Sequence, residues 1–155
     1  MSVIIQGSQI RQILLGSKVE RATAALPQTA TGNIYTVAGG RILVTGLVGE
    51  VTVATGAVAT NLKISTAPTT GTAVDLTANT LVTSKEVGSQ YTLPAASGSA
   101  GIVKNGGAGG QFPTHQPYII PIGAISITTD ASDTGSMKWT LTYIPLDDGA
   151  SVVAA

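Results

Sequence analysis

The sequence has no cysteine and a single histidine, His115. The first absence removes disulfides, thiolate metal sites and cysteine nucleophiles, and says nothing of compartment, because a chain without thiols fits any redox environment. The second argues against a cupin-type metal barrel, which collects several imidazoles with a carboxylate. Charge is scarce as well: eight Lys and Arg stand against eight Asp and Glu, 10% of 155 residues, with zero formal net charge. An ordinary soluble domain carries roughly 25%. Phosphate contacts need a surplus of Lys and Arg on one face, so this balance argues against a nucleic-acid partner. Long apolar runs are missing too. The most apolar stretches, residues 41–53 and 117–127, are broken by Gly or Pro, short of the roughly 20 residues of a membrane span. Near the N-terminus, Val3, Ile4 and Ile5 are interrupted by Gln6, Gly7, Ser8 and Gln9, unlike the basic region and unbroken apolar core of a secretory signal. Synthesis in a cytoplasm, with no membrane partner, is the expectation.

What is present is apolar and small. Hydrophobic residues make up 43% and mean hydropathy is +0.35. A chain with this little charge has weak repulsion between copies, which points to surface normally covered by a partner. At this length about 70% of the unfolded surface can be buried in one domain, with no metal or disulfide staple. Thr, Val and Ala abound, Gly numbers 19, and the helix formers Leu, Glu, Lys and Arg are few. Thr and Val are stiff at χ1 and suit a pleated surface, so the composition predicts an all-β fold.

Short apolar or alternating runs recur every 8 to 12 residues from Asn33 onward, the spacing of a sandwich or barrel. The expected strands are residues 34–37, a long run over 41–53 with glycines where it bends or bulges, 57–65, 74–78, 81–84, 90–93, 118–120 and 124–129. Turns are expected at Ala38-Gly39-Gly40 and Pro68-Thr69-Thr70-Gly71, and residues 97–110 read as a loop. Ile125 and Ile127, then Met137, Trp139, Leu141 and Tyr143, alternate with polar residues across turn chemistry at 130–135, which predicts a hairpin. Asp147-Asp148-Gly149 is a further turn before a small-residue tail. One helix is expected at residues 8–15, with Ser8 as cap and Ile10, Ile13 and Leu14 at i, i+3 and i+4. The chain divides into an N-terminal arm (1–26), one β-sandwich (27–149) and a tail (150–155). The arm's Ile4, Ile5, Ile10, Arg11, Ile13, Leu14 and Leu15 have two open readings: a segment that docks on a partner, or a first strand or helix that covers the protein's own core.

The residues offer little for catalysis. His115 sits between Pro113 and Pro117 without the companions of a triad. The loop from Lys104 to Gly110 ends in Gln111-Phe112-Pro113, not in Gly-Lys-Ser/Thr leading into a helix, so it fails as a phosphate cradle. Of the acids, Asp130, Asp133, Asp147 and Asp148 fall in turn sequences, and none follows the EF-hand pattern. No metal or cofactor is implied. Aromatic residues number six. Trp139 and Tyr143 share one strand face and read as core or subunit contacts, and Arg41 as an inter-subunit ion-pair candidate or a solvated charge.

Two stretches carry a family resemblance: residues 32–51, GNIYTVAGGRILVTGLVGEV, and 134–150, TGSMKWTLTYIPLDDGA. With Leu26-Pro27-Gln28-Thr29 they cover 41 of the 155 residues, about a quarter of the chain. They resemble small accessory virion proteins of tailed bacteriophages. That resemblance implies an antiparallel β-sandwich of jelly-roll type with an extended or short-helical arm. It also implies a homotrimer on the outer capsid surface of the virion, where a decoration or cement protein binds the major capsid protein and bridges capsomers. The other expectations are a tail or head-fibre component, a host-glycan-binding module that contacts the host surface, and, least favoured by the residues, a sandwich glycosidase.

Overall fold

The computed structural model describes residues 6–106 and 117–155. Among these residues the chain forms one short helix, α1 (Gly7–Leu15), and twelve strands in two antiparallel sheets. One sheet runs β1 (Ser17–Ala25), β11 (Ser136–Pro145), β3 (Ile42–Val53), β7 (Gln90–Thr92), β8 (Ile102–Lys104). β9 (Tyr118–Ile120) shares the β7 side of β3, holding residues 42–44 where β7 holds 48–50. The other sheet runs β12 (Ser151–Ala154), β2 (Thr31–Ala38), β10 (Gly123–Thr129), β4 (Asn61–Pro68), β5 (Val74–Asp75), with β6 (Thr80–Leu81) also on β4. In chain order β1 lies beside β11, β2 beside β10, β3 between β11 and β9, and β4 between β10 and β5. This nesting is that of a jelly roll, as expected.

Period-2 alternation builds the core. Ile42, Val44, Leu47 and Val51 of β3, and Met137, Trp139, Leu141 and Tyr143 of β11, are buried against Ile34, Tyr35 and Val37 of β2, Leu62 and Ile64 of β4, and Ile125 and Ile127 of β10. Between β3 and β11 the register jumps from Gly46↔Thr142 to Val44↔Tyr143, leaving Thr45 as the extra residue of a bulge. A bulge bends the strand and re-aims a side chain. Here it sends the Thr45 hydroxyl to the Leu15 carbonyl, 2.9 Å from the Thr142 hydroxyl.

Several expectations are corrected. β10 and β11 do not form a hairpin: they lie in different sheets and pair with β2 and β4, and with β1 and β3. Alternation shows that each has a core face, and two strands facing one core from opposite sheets alternate as a hairpin does. Their connection is pinned by Asp133, whose Oδ1 accepts from the Gly56 and Gly135 amides at 2.9 and 2.7 Å. Residues 17–25, placed in the arm, are edge strand β1, and the tail supplies β12 on β2. The expected loop at 97–110 contains β8. The strand expected from residue 57 begins at Asn61, and those at 74–78 and 81–84 shrink to the two-residue β5 and β6. The helix starts at Gly7, after Gln6, whose N–H donates to Gln9 Oε1 at 2.9 Å; Ser8 is not its cap.

Candidate functional site

Among the described residues the two most exposed large apolar side chains, Ile13 and Leu14, sit on α1. The i, i+3, i+4 spacing gives the helix one apolar stripe, yet no residue of α1 is buried: Ile10 is 47% exposed, Ile13 73% and Leu14 69%. Nine residues make a marginal helix in isolation. This one is tethered at its end by the Thr45–Leu15 bond, by Gly16 N–H donating to Gln12 O at 3.0 Å, and by the Ser17↔Tyr143 pair that opens β1. Gly16 has φ 80 and ψ −154, a conformation essentially restricted to glycine. A Cβ there would lie 2.1 Å from the Tyr143 carbonyl oxygen and 2.8 Å from Ile144 Cγ1. The direction in which α1 leaves the sheet is therefore set by backbone packing. Of the other arm residues, Arg11 is exposed and Leu15 half-buried. Ile4 and Ile5 lie outside the described residues.

An apolar row begins at the base of this arm. Leu43 of β3 pairs with Ile144 of β11 on one side and Ile119 of β9 on the other. All three occupy outward positions of the pleat, with Ile119 62% and Ile144 37% exposed. Leu146, 43% exposed, continues the row, its N–H donating to Arg41 O at 3.0 Å. These residues were not singled out from the sequence. Each belongs to an alternating or apolar run, and only the β9–β3–β11 register shows that they meet on the solvent side.

Arg41 borders the row and does not join the core. Its Nε and Nη2 donate to Asp147 Oδ2 and Oδ1 at 2.9 and 2.7 Å, and its own amide donates to Oδ2 at 2.7 Å. The Arg41 side-chain bonds lead these contacts in holding the Asp147 carboxyl at about 2, against an ordinary 3.8. A carboxylate with a depressed folded-state value stabilises the fold fully above its ordinary value and loses that contribution as pH falls through the depressed one. Asp147→Asn is therefore expected to lower stability at neutral pH, with the gap to the parent chain closing between pH 3.8 and about 2 in a pH series of urea unfolding. A gap independent of pH would refute the assignment.

Trp139 and Tyr143 are core residues of the single chain. Trp139 meets Tyr91 edge-on with ring centroids 5.9 Å apart, and the Tyr143 hydroxyl accepts from Val152 N–H at 3.3 Å. Several acids are held in structural contacts. Glu20, Glu50 and Asp75 pair with Lys18, Lys138 and Lys63. Asp130 takes both the amide and the side chain of Asn61, whose side-chain bond leads in lowering its pKa. Among the described residues no three His, Cys, Asp or Glu gather as a metal site. His115, Phe112 and the glycines at 107, 109 and 110 lie outside the described residues.

No family model matches the chain, and no curated protein matches it. Among solved structures, a chain in "Structure of infectious bursal disease virus Gx strain" aligns at TM-score 0.22 and 16% identity, over 88% of this chain and 33% of that one. This chain thus spans about a third of the length it is matched to. A likeness that low identifies neither fold nor role.

Proposed function

We propose that the chain is a structural virion protein of a tailed bacteriophage, a decoration or cement protein that binds the outer capsid surface as a trimer and bridges capsomers. The observation that carries the reading is a jelly-roll body with a rigidly based arm whose Ile10, Ile13 and Leu14 are left bare. A protein whose work is adhesion needs such a surface and a stiff support, with no reaction of its own. The resemblance of residues 32–51 and 134–150 supports the phage origin, and the low charge suits interfaces that are more apolar than ordinary surface. Covering each of the three helix side chains contributes on the order of 1–2 kcal/mol, multiplied over every copy on a shell.

The test is a cryo-EM reconstruction of the virion that carries this chain. Density as trimers on the outer shell, with residues 7–15 at a contact, is the expected result. Density confined to the tail or to one vertex would replace the reading with an attachment or fibre role.

A further inference from the structure

We infer that the cleft beside the Arg41–Asp147 pair binds a neutral sugar: one pyranose ring lies on Pro121 and Ile122, with two adjacent hydroxyls on the ion pair. The inference goes beyond the decoration reading and stands on other residues, since none of α1 contributes. Four connections meet at this cleft: β2–β3 at Arg41, β4–β5 at Thr69 and Thr70, β9–β10 at Pro121 and Ile122, and β11–β12 at Asp147. They surround about 350 Å³, at the small end of the range for small-molecule sites. The connections are fixed to one another in pairs. Thr69 donates from both its N–H and its hydroxyl to the Ile122 carbonyl, at 2.9 and 3.2 Å. Gly40 packs so closely on the β11–β12 turn that a Cβ would lie 2.6 Å from Asp147 Cβ, and Leu146 N–H donates to Arg41 O at 3.0 Å. A site built before its ligand arrives avoids the ordering cost that weakens small ligands.

The chemistry of the pair selects the ligand. Arg41 and Asp147 cancel in charge. An anion would have to displace the Asp147 carboxylate from the guanidinium, and a cation would meet Arg41 beside that carboxylate; a neutral ligand meets neither obstacle. The pair still has hydrogen-bonding capacity, because an arginine fork carries five N–H donors and a carboxylate about four acceptor sites. Arg41 uses Nε and Nη2 on Asp147, and among the described residues its Nη1 has no partner. Asp147 Oδ2 accepts two bonds and Oδ1 only one, which leaves Oδ1 open to another donor. The two side chains are 60% and 35% exposed, so a ligand can reach both. A donor beside an acceptor matches adjacent hydroxyls on a sugar ring, one accepting from Nη1 and its neighbour donating to Oδ1. The exposed Thr70 hydroxyl adds a third polar contact, and Pro121 and Ile122, both exposed, give the apolar surface for the C–H face of the ring.

The experiment is an NMR titration of the purified, nitrogen-15-labelled full-length chain with the methyl α-pyranosides of glucose, mannose and galactose, and separately with sodium acetate. Saturable shifts of the Gly40, Arg41, Thr70 and Ile122 amides by at least one glycoside are expected, with a dissociation constant on the order of 1–10 mM for a small polar ligand held by few groups. Thr70→Trp fills the cleft from an exposed turn and leaves the ion pair in place, and Arg41→Gln removes the fork. Each should weaken binding at least tenfold, with circular dichroism confirming the fold. Retention of the chain on dextran or mannan beads would mark a polysaccharide as the source of the ring, and glycoside binding without retention a free sugar; both keep the inference. Failure of all three glycosides to shift these amides, equal or larger shifts by acetate, or undiminished binding by both variants would overturn it. Loss of sugar binding leaves the decoration reading standing, and a chain that binds sugar but no shell would overturn that reading alone.

Discussion

Replacing Trp139 with alanine is expected to lower the unfolding free energy by about 3–5 kcal/mol, the range for emptying a buried aromatic site. The ring is 1% exposed, at the centre of β11, with β1 on one side and β3 on the other. Gly49, its partner on β3, has no Cβ because one would lie 2.7 Å from both Trp139 Cζ3 and Met137 Cε. Tyr91 closes the site with its edge contact and cannot slide in, since its hydroxyl is held by Thr77 at 3.2 Å. The site therefore collapses poorly, which puts the cost toward the upper end. A single domain holds only about 5–15 kcal/mol in total, so the urea midpoint should fall by a third or more at unchanged slope. Trp139→Phe, which keeps a ring against Tyr91, should lose less. A loss below about 1 kcal/mol for the alanine variant would contradict the placement of this ring in the core.

That core was largely legible in the sequence because alternation is a local property. Met137, Trp139, Leu141 and Tyr143 announce one buried face whatever strand lies beside them, and Tyr118–Ile120 forms β9 as the run between Pro117 and Pro121 suggests. Turn chemistry was equally local: β4 ends at Pro68, and Gly39 and Gly71 have the positive φ that their turns require. Partnership was not legible. Nothing in residues 124–143 distinguishes a hairpin from two strands that cross between sheets, and the crossing is held by Asp133 through the distant Gly56 amide. The tail was equally opaque, because Ser151–Ala154 becomes a strand only by pairing with β2.

The candidate site divides in the same way. The stripe of Ile10, Ile13 and Leu14 could be read from spacing, but its exposure could not, since an apolar helix stripe covers its own core in most proteins. Exposure here follows from Gly16 and from the Thr45 bulge, two features set by register. The row of Leu43, Ile119 and Ile144 is assembled from three strands distant in sequence and has no local signature at all. Arg41 and Asp147 each sit at a turn signal of their own, and their pairing is again a product of the fold.

The account's central claim is that the arm is what fastens this chain into a larger assembly, and deletion of residues 2–15 addresses it. No residue of α1 is buried, and β1 begins only at Ser17, so the truncated chain should keep its sandwich and its strand-rich circular dichroism. What it loses is the contact of three apolar side chains worth on the order of 1–2 kcal/mol each, a weakening of about a hundredfold or more when 1.4 kcal/mol is tenfold. The measurement is occupancy on purified shells that lack the chain, after adding back either the full-length or the truncated form, together with the thermal stability of those shells. The account predicts saturable binding and a stabilised shell for the full-length chain, and little of either for the truncated one; full occupancy and undiminished stabilisation by the truncated chain would contradict it.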